Sequence, residues 1–197
     1  VSLTLMYRKP ATTFNQKAEA LYQQNVLSVM EEVWHKEGER IDLVIFLNGI
    51  AIFTFELKCN TSGQNYEDAI RQYKFERDCK TRLLKFKAGC LAHFAMDLNE
   101  VYMCTNLKGK SSFFLPFNKG CGVGIHSGKG NPHNENGINV SYMWEDILKK
   151  DTVLYLIDKI IFLQKETKKD PDTGKRVTKE TLIFPRYHQF NAVRKLV

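Results

Sequence analysis

Apolar side chains recur with a helical period at the start of the chain and with a strand period soon after it. Phe14, Ala18, Leu21 and Tyr22 share one face of a helix over 13–24, for which Thr12 or Thr13 is the expected N-cap. The Val- and Leu-rich stretch 26–34 predicts a strand, closed by a polar turn over 35–39. Two β-rich runs follow, 40–47 and 50–59. Between them Asn48-Gly49 is a strong hairpin signal, since both residues accept the positive φ of a type I′ turn. Beyond a polar link, Tyr66, Ala69, Ile70 and Tyr73 stand at i, i+3, i+4 and i+7, which predicts an amphipathic helix over about 65–80. Strands are expected at 89–96 and 100–105 and helices at 144–150 and 152–164. Six of the twelve glycines lie in 118–137 and mark a long loop. Together these elements predict an α/β fold, with a central mixed β-sheet that carries the hairpin and is flanked by helices.

Composition bounds the organisation. With 197 residues, 43% of them hydrophobic, the chain can bury one sizeable core but not two ordinary domains and a linker. The expected division is a domain over 1–164, a charged linker over 165–181 and the start of something further over 182–197. No run of 18 apolar residues and no signal-peptide core is present, so no membrane role is expected. Five scattered cysteines without C-x-x-C spacing argue against a disulfide framework or a structural zinc and point to the cytoplasm. The net charge of +7 is concentrated. Arg71, Lys74 and Arg77 open a basic stripe that continues to Lys87, and no acid lies between Val101 and Asn134. Such a field suits a polyanion, here duplex DNA, with Arg71, Lys74 and Arg77 as the candidate phosphate contacts.

The hairpin carries the candidate chemistry. Glu56 and Lys58 are two apart in a strand and therefore share a face, while Asp42 opens the otherwise apolar run Leu43-Val-Ile-Phe-Leu47. A regular two-residue turn would pair Asp42 with Phe55 and place Asp42 and Glu56 on opposite faces. A three-residue loop Asn48-Gly49-Ile50, or a bulge, would bring them to one face. Directly opposed carboxylates are unfavourable unless a cation lies between them. Two carboxylates and a lysine at one point are the parts for hydrolysing a phosphodiester. Asp42 and Glu56 would hold Mg²⁺, for which Mn²⁺ can substitute, and Lys58 would offset charge on the phosphate or position water.

These residues resemble a known family. Arg40-Ile-Asp42-Leu-Val-Ile-Phe-Leu-Asn-Gly-Ile with Phe55-Glu56-Leu-Lys58 is similar to the PD-(D/E)xK nuclease core, in the version found in the R subunit of type I restriction-modification enzymes. The likeness continues through Glu67-Asp-Ala-Ile-Arg71-Gln72-Tyr73, Ala92-His-Phe-Ala-Met-Asp97, Phe114-Leu-Pro-Phe-Asn-Lys-Gly120 and Phe184-Pro-Arg-Tyr-His-Gln189. The resemblance implies an endonuclease that binds Mg²⁺ through Asp42 and Glu56 and acts with modification and specificity subunits, the latter setting the DNA target. It also implies a Gln-x-x-x-Tyr motif on the helix after the second strand. Here Gln72 is followed four residues later by Glu76, and the nearest tyrosine is its neighbour Tyr73, so both Gln72 and Tyr73 become candidates. The segment from Leu182 to Gln189 is similar to the entry of a superfamily 2 helicase motor, whose glutamine, here Gln189, contacts adenine. ATP would then serve only the full-length enzyme, since no G-x-x-x-x-G-K-[ST] phosphate loop occurs in the chain.

Other residues carry less. His126 and His133 lack metal-ligand spacing, His93 reads as a core histidine, and Glu31 and Glu32 are candidate further acids for the metal site. Two alternatives remain open: a stand-alone nuclease of the same superfamily, and a catalytically silent DNA-binding or assembly module.

Overall fold

The structure of the chain is a computed structural model that describes residues 4–12, 14–122, 129–169, 174 and 176–196. Six strands, β1 (Leu27–Lys36), β2 (Glu39–Leu47), β3 (Ile50–Leu57), β4 (Ala92–Met96), β5 (Val101–Cys104) and β6 (Leu115–Pro116), lie side by side in chain order. All neighbours are antiparallel except β3 and β4, which run parallel. A parallel pair cannot be joined by a tight turn, so the chain leaves the end of β3, crosses one face of the sheet and returns. That crossing holds α2 (Tyr66–Phe75). The result is the expected α/β architecture, a mixed sheet flanked by helices, consistent with a PD-(D/E)xK-like nuclease core.

Side-chain alternation sorts the core into two layers. Ile45, Leu47, Phe53, Phe55, Phe94 and Met103 face one way, against Tyr22 of α1 (Gln16–Gln23) and Val153 and Leu154 of α3 (Lys150–Tyr155). Phe190 of α4 (Tyr187–Leu196) joins the same layer. Val44, Ala95 and Cys104 face the other way, against Ala69 and Tyr73 of α2.

Polar contacts fix α2 at both ends. At its start, Asn65 Oδ1 accepts the Glu67 N–H at 2.8 Å and the Asp68 carboxylate accepts the Asn65 N–H at 3.1 Å, a reciprocal capping box. Asp97, just past β4, accepts the Tyr66 N–H at 3.1 Å, a favourable place for a carboxylate at a helix N-terminus. Further along, the buried Thr54 Oγ1 lies 2.8 Å from Tyr73 Oη and 2.8 Å from His93 Nδ1.

The hairpin register decides between the two routes open to the sequence. Leu47 pairs with Ile50 and Phe46 with Ala51, so the turn is the two-residue Asn48-Gly49, with φ of 50° and 81°. Ile45 then pairs with Phe53, which leaves Ile52 as an extra residue: a bulge, not a longer loop, shifts the register.

Elsewhere the structure departs from expectation at element ends. Asn15 caps α1, accepting the Ala18 N–H at 3.0 Å, where Thr12 or Thr13 was expected; Thr13 lies outside the described residues. The helix expected over 65–80 stops at Phe75, and the Asp78 carboxylate accepts the Lys80 N–H in the turns that follow. The expected linker 165–181 falls largely within a ribbon of β7 (Phe162–Lys169) and β8 (Arg176–Ile183). Opposite charges face each other across it, Lys165 with Glu180 and Glu166 with Lys179, a pattern that favours pairing over an extended linker. Beyond the ribbon, Phe184 and Phe190 are buried in the same core as Phe53 and Phe94. Residues 170–173, 175 and 197 of these segments lie outside the description.

The Thr54–Tyr73 contact should be measurable. Tyr73→Phe is expected to lower stability by roughly 1 kcal/mol, because it removes one buried hydroxyl bond while keeping the ring. For a chain of this size that is a fall of about 2 to 4 °C in melting temperature. An unchanged melting temperature would mean that the hydroxyl contact contributes nothing.

Candidate active site

The last paired residues of the hairpin are Leu43 and Phe55; in the shifted register Asp42 and Glu56, the next residue of each strand, come to the α2 face, close enough for the Asp42 charge to act on Glu56. Without the bulge at Ile52 they would face opposite ways. Asp42 is fixed by its own carboxylate, whose Oδ2 accepts the Leu57 N–H at 2.8 Å. Glu56 has no exposed surface. Lys58 follows just past β3, its N–H bonded to the Met96 carbonyl at 2.9 Å, and alternation keeps it on the Glu56 side. The site thus sits at the carboxyl ends of the parallel pair β3–β4, the usual place for a ligand crevice in an α/β sheet.

A buried carboxylate needs a counter-charge, and here it is Arg77. Its Nε donates to Glu56 Oε1 at 2.7 Å and its Nη2 reaches Oε2 at 3.4 Å, with only 9% of the arginine side chain exposed. Burial pushes the Glu56 carboxyl up to about 8. Arg77 opposes that shift, the charge of Asp42 adds to it, and Lys58 opposes it. Asp42, Lys58 and Arg77 therefore all bear on Glu56.

The other candidates fall into distinct positions. Arg71 is exposed on α2, 3.7 Å from Asp68, and Lys74 is half-buried on the same helix. Arg77, grouped with them as an outward basic residue, instead turns inward onto Glu56. Its spacing held the clue: position 77 is four after Tyr73 and continues the inward row of Tyr66, Ala69 and Tyr73. Tyr73, a candidate catalytic residue, is instead fully buried between α2 and the sheet, with its hydroxyl 2.8 Å from Thr54 Oγ1. Gln72 is half-buried, and its Oε1 is buried with no hydrogen-bond partner. His93 is buried, and burial holds its imidazole down at about 3, in keeping with a neutral core histidine.

Glu31 and Glu32 are exposed, and Glu32 pairs with Arg40 at 3.0 Å. His133 is among the described residues and His126 is not. Gln189 Oε1 accepts the Arg186 N–H at 2.9 Å at the start of α4. Sequence reasoning missed Thr54 and Asp97, because their roles depend on which strand ends lie beside α2.

The donors suit a hard divalent cation. Asp42 and Glu56 offer carboxylate oxygens, Oε2 of Glu56 is held only loosely, and the site already accommodates the positive charge of Arg77. Among the described residues no group of three or more His, Cys, Asp or Glu is assembled to hold a metal. Two protein carboxylates are nevertheless the donor set that Mg²⁺ takes when it keeps several waters. Among the described residues no helix is long and apolar enough to cross a membrane.

Comparison with known proteins places the chain in a family. The chain is 27% identical over 186 residues to a protein of Methanocaldococcus jannaschii named "Putative type I restriction enzyme MjaVIIIP endonuclease subunit". The match covers 88% of this chain and 15% of that relative, so the chain spans a small part of the relative's length. Residues 12–112, which contain the whole hairpin, α2 and β4–β5, match the family described as type I restriction enzyme R protein N terminus. The chain belongs to that family.

Proposed function

We propose that this chain is a Mg²⁺-dependent endonuclease domain that hydrolyses DNA phosphodiester bonds within a type I restriction enzyme. The observation that carries the reading is the bulge-set convergence of Asp42 and Glu56 beside Lys58 at the ends of β3 and β4. The family and the endonuclease named for the relative support it.

Asp42 and Glu56 would hold the cation, Asp42 through the oxygen left free by its bond to Leu57 and Glu56 through Oε2. A bound Mg²⁺ supplies Lewis-acid polarisation of a phosphoryl oxygen and lowers the pKa of water. Lys58 places its ammonium where negative charge grows on the phosphate as water adds and the P–O bond to the leaving strand end breaks. Gln72 offers an unpartnered carbonyl oxygen that can orient a water or a substrate donor. Tyr73 and Thr54 keep α2, and with it Gln72 and Arg77, against the sheet.

Arg71 and Lys74 are the phosphate contacts of α2 in this reading, and duplex DNA is the substrate. Modification and specificity subunits are the proposed partners, in a cytoplasmic complex. ATP and an adenine contact at Gln189 belong to a motor in a longer R subunit.

Three measurements test the proposal. Mg²⁺ or Mn²⁺ should raise the melting temperature of the wild type. At a hundredfold excess over its dissociation constant the cation contributes roughly 2.7 kcal/mol, or about 5 to 11 °C. Glu56→Gln should abolish both that shift and DNA cleavage, while Lys58→Ala should keep the shift and lose cleavage. A shift identical in wild type and Glu56→Gln would rule out these carboxylates as the metal site, and a silent DNA-binding module would then be favoured.

The raised Glu56 carboxyl gives a pH signature without metal. Because its folded-state value of about 8 lies above the ordinary 4.5, the folded state binds the extra proton between them. Its contribution is present in full below the ordinary value and is lost as pH rises through about 8. Stability of the metal-free wild type should therefore decline across this window, and Glu56→Gln should flatten the decline. Parallel profiles for the two proteins would contradict the assignment.

DNA binding should be weak, indifferent to sequence and steeply salt-dependent, through counterion release. Replacing Arg71 and Lys74 together by alanine should lower the slope of log K against log salt by about one for each phosphate left unpaired. Binding that does not change between low and moderate salt would contradict this.

A further inference from the structure

Arg77 occupies an unusual place for a residue of a basic stripe. Its guanidinium covers both oxygens of Glu56, the carboxylate proposed to take the metal. With Glu56 ionised, as a cation ligand must be, the formal charges of Asp42, Glu56, Lys58 and Arg77 cancel. A divalent cation entering between the two carboxylates would leave it strongly positive, with a guanidinium and the cation competing for one side chain. Like charges at such separations repel by several kT even in a partly solvated site.

The geometry indicates which group yields. Asp42 is pinned by the Leu57 N–H and Glu56 is buried in the end of β3, so neither carboxylate can move far. Arg77 lies two residues past the end of α2, on the bend where the helix gives way to turns. Its grip is uneven, short at Oε1 and long at Oε2, and its remaining contact, Nη1 to the Glu76 carbonyl, is 3.4 Å. Glu76, its neighbour in the chain, and Lys80, three residues further on, are exposed, so the surface is near.

We propose that Arg77 and the divalent cation are alternative partners of Glu56, and that cation entry turns the guanidinium outward to pair with a phosphate of the bound DNA. Arg77 is thereby a substrate contact made only by the metal-loaded domain. Metal loading and DNA binding strengthen each other, because the same arginine leaves one anion for another. The guanidinium suits both places, since its planar fork matches carboxylate and phosphate alike. This rests on the metal-site reading above and adds to it the order in which the charges are exchanged.

The test follows the wild-type side chain directly. In a ¹⁵N-labelled sample the Nε–H signal of Arg77, assigned by its absence in Arg77→Lys, is recorded during a Mg²⁺ titration. The expected result is that the signal moves and loses its protection from solvent exchange in step with Mg²⁺ binding. A signal that stays in place and protected at saturating Mg²⁺ overturns the exchange.

Metal binding is scored on the same samples by melting temperature, with Glu56→Gln as control. If wild type binds no more Mg²⁺ than that control, the metal-site reading itself fails. If it binds and Arg77 stays put, only the exchange fails. A second arm measures duplex binding against salt with Ca²⁺ as the probe cation and again with chelator. Wild type should exceed Arg77→Gln in slope by about one in Ca²⁺ and match it in chelator. Equal slopes under both conditions, in variants shown by circular dichroism to be folded, would overturn the phosphate contact.

Discussion

A carboxylate with no exposed surface cannot be left uncompensated, and the end of β3 is organised around that constraint. Glu56 lies against the α2 face, where the desolvation of its charge is opposed by the Arg77 guanidinium at 2.7 Å and by the nearby Lys58. Removing one partner of such a pair leaves the other buried and alone, which costs several kcal/mol. The position of Arg77 is therefore tied to that of α2, and the position of α2 to the sheet. Thr54 and His93 anchor it through Tyr73, and Asp97 holds its first turn. The buried trio beneath the helix and the ion pair at its end belong to one arrangement, in which polar groups inside the protein are satisfied by one another.

The second determinant is the bulge at Ile52. An Asn-Gly turn favours tight pairing of Leu47 with Ile50, and tight pairing alone would send Asp42 to the face opposite Glu56. One extra residue in β3 changes the parity for everything beyond it. It also leaves Ile52 on the apolar face with Phe53, where both are buried in the larger core. Two adjacent apolar residues on one face are tolerated because that face is covered by α1, α3 and α4. Burial of Ile52 thus offsets the missing ladder pairing, and the convergence of the two acids follows from how the apolar layer packs.

The hairpin, the Asn-Gly turn, the α2 face and the triad of Asp42, Glu56 and Lys58 were legible because each is written in local spacing. A period of two, a period near 3.6 and a turn dipeptide need no knowledge of distant residues. The ribbon of β7 and β8 was not legible, since strongly charged, Thr-bearing strands lack an apolar period, and their cross-strand charge pairing appears only once the register is known. Arg77 was read as an outward phosphate contact because helical charge is normally solvated. Its continuation of the Tyr66, Ala69, Tyr73 row pointed inward, yet an arginine on an inward row means little until a buried acid is found to meet it.

The sequence by itself determined the mixed α/β architecture, the residue types of the candidate site and their restriction to one hairpin, since these follow from alternation and from turn chemistry. Tertiary structure alone decided that a bulge and not a longer loop aligns the acids, that Tyr73 is buried beneath its helix against Thr54, and that Arg77 pairs with Glu56. Each of these depends on contacts between segments far apart in the chain. In such contacts, burial sets the cost of a charge and packing sets the parity of a strand, and neither quantity is encoded in any local stretch of residues.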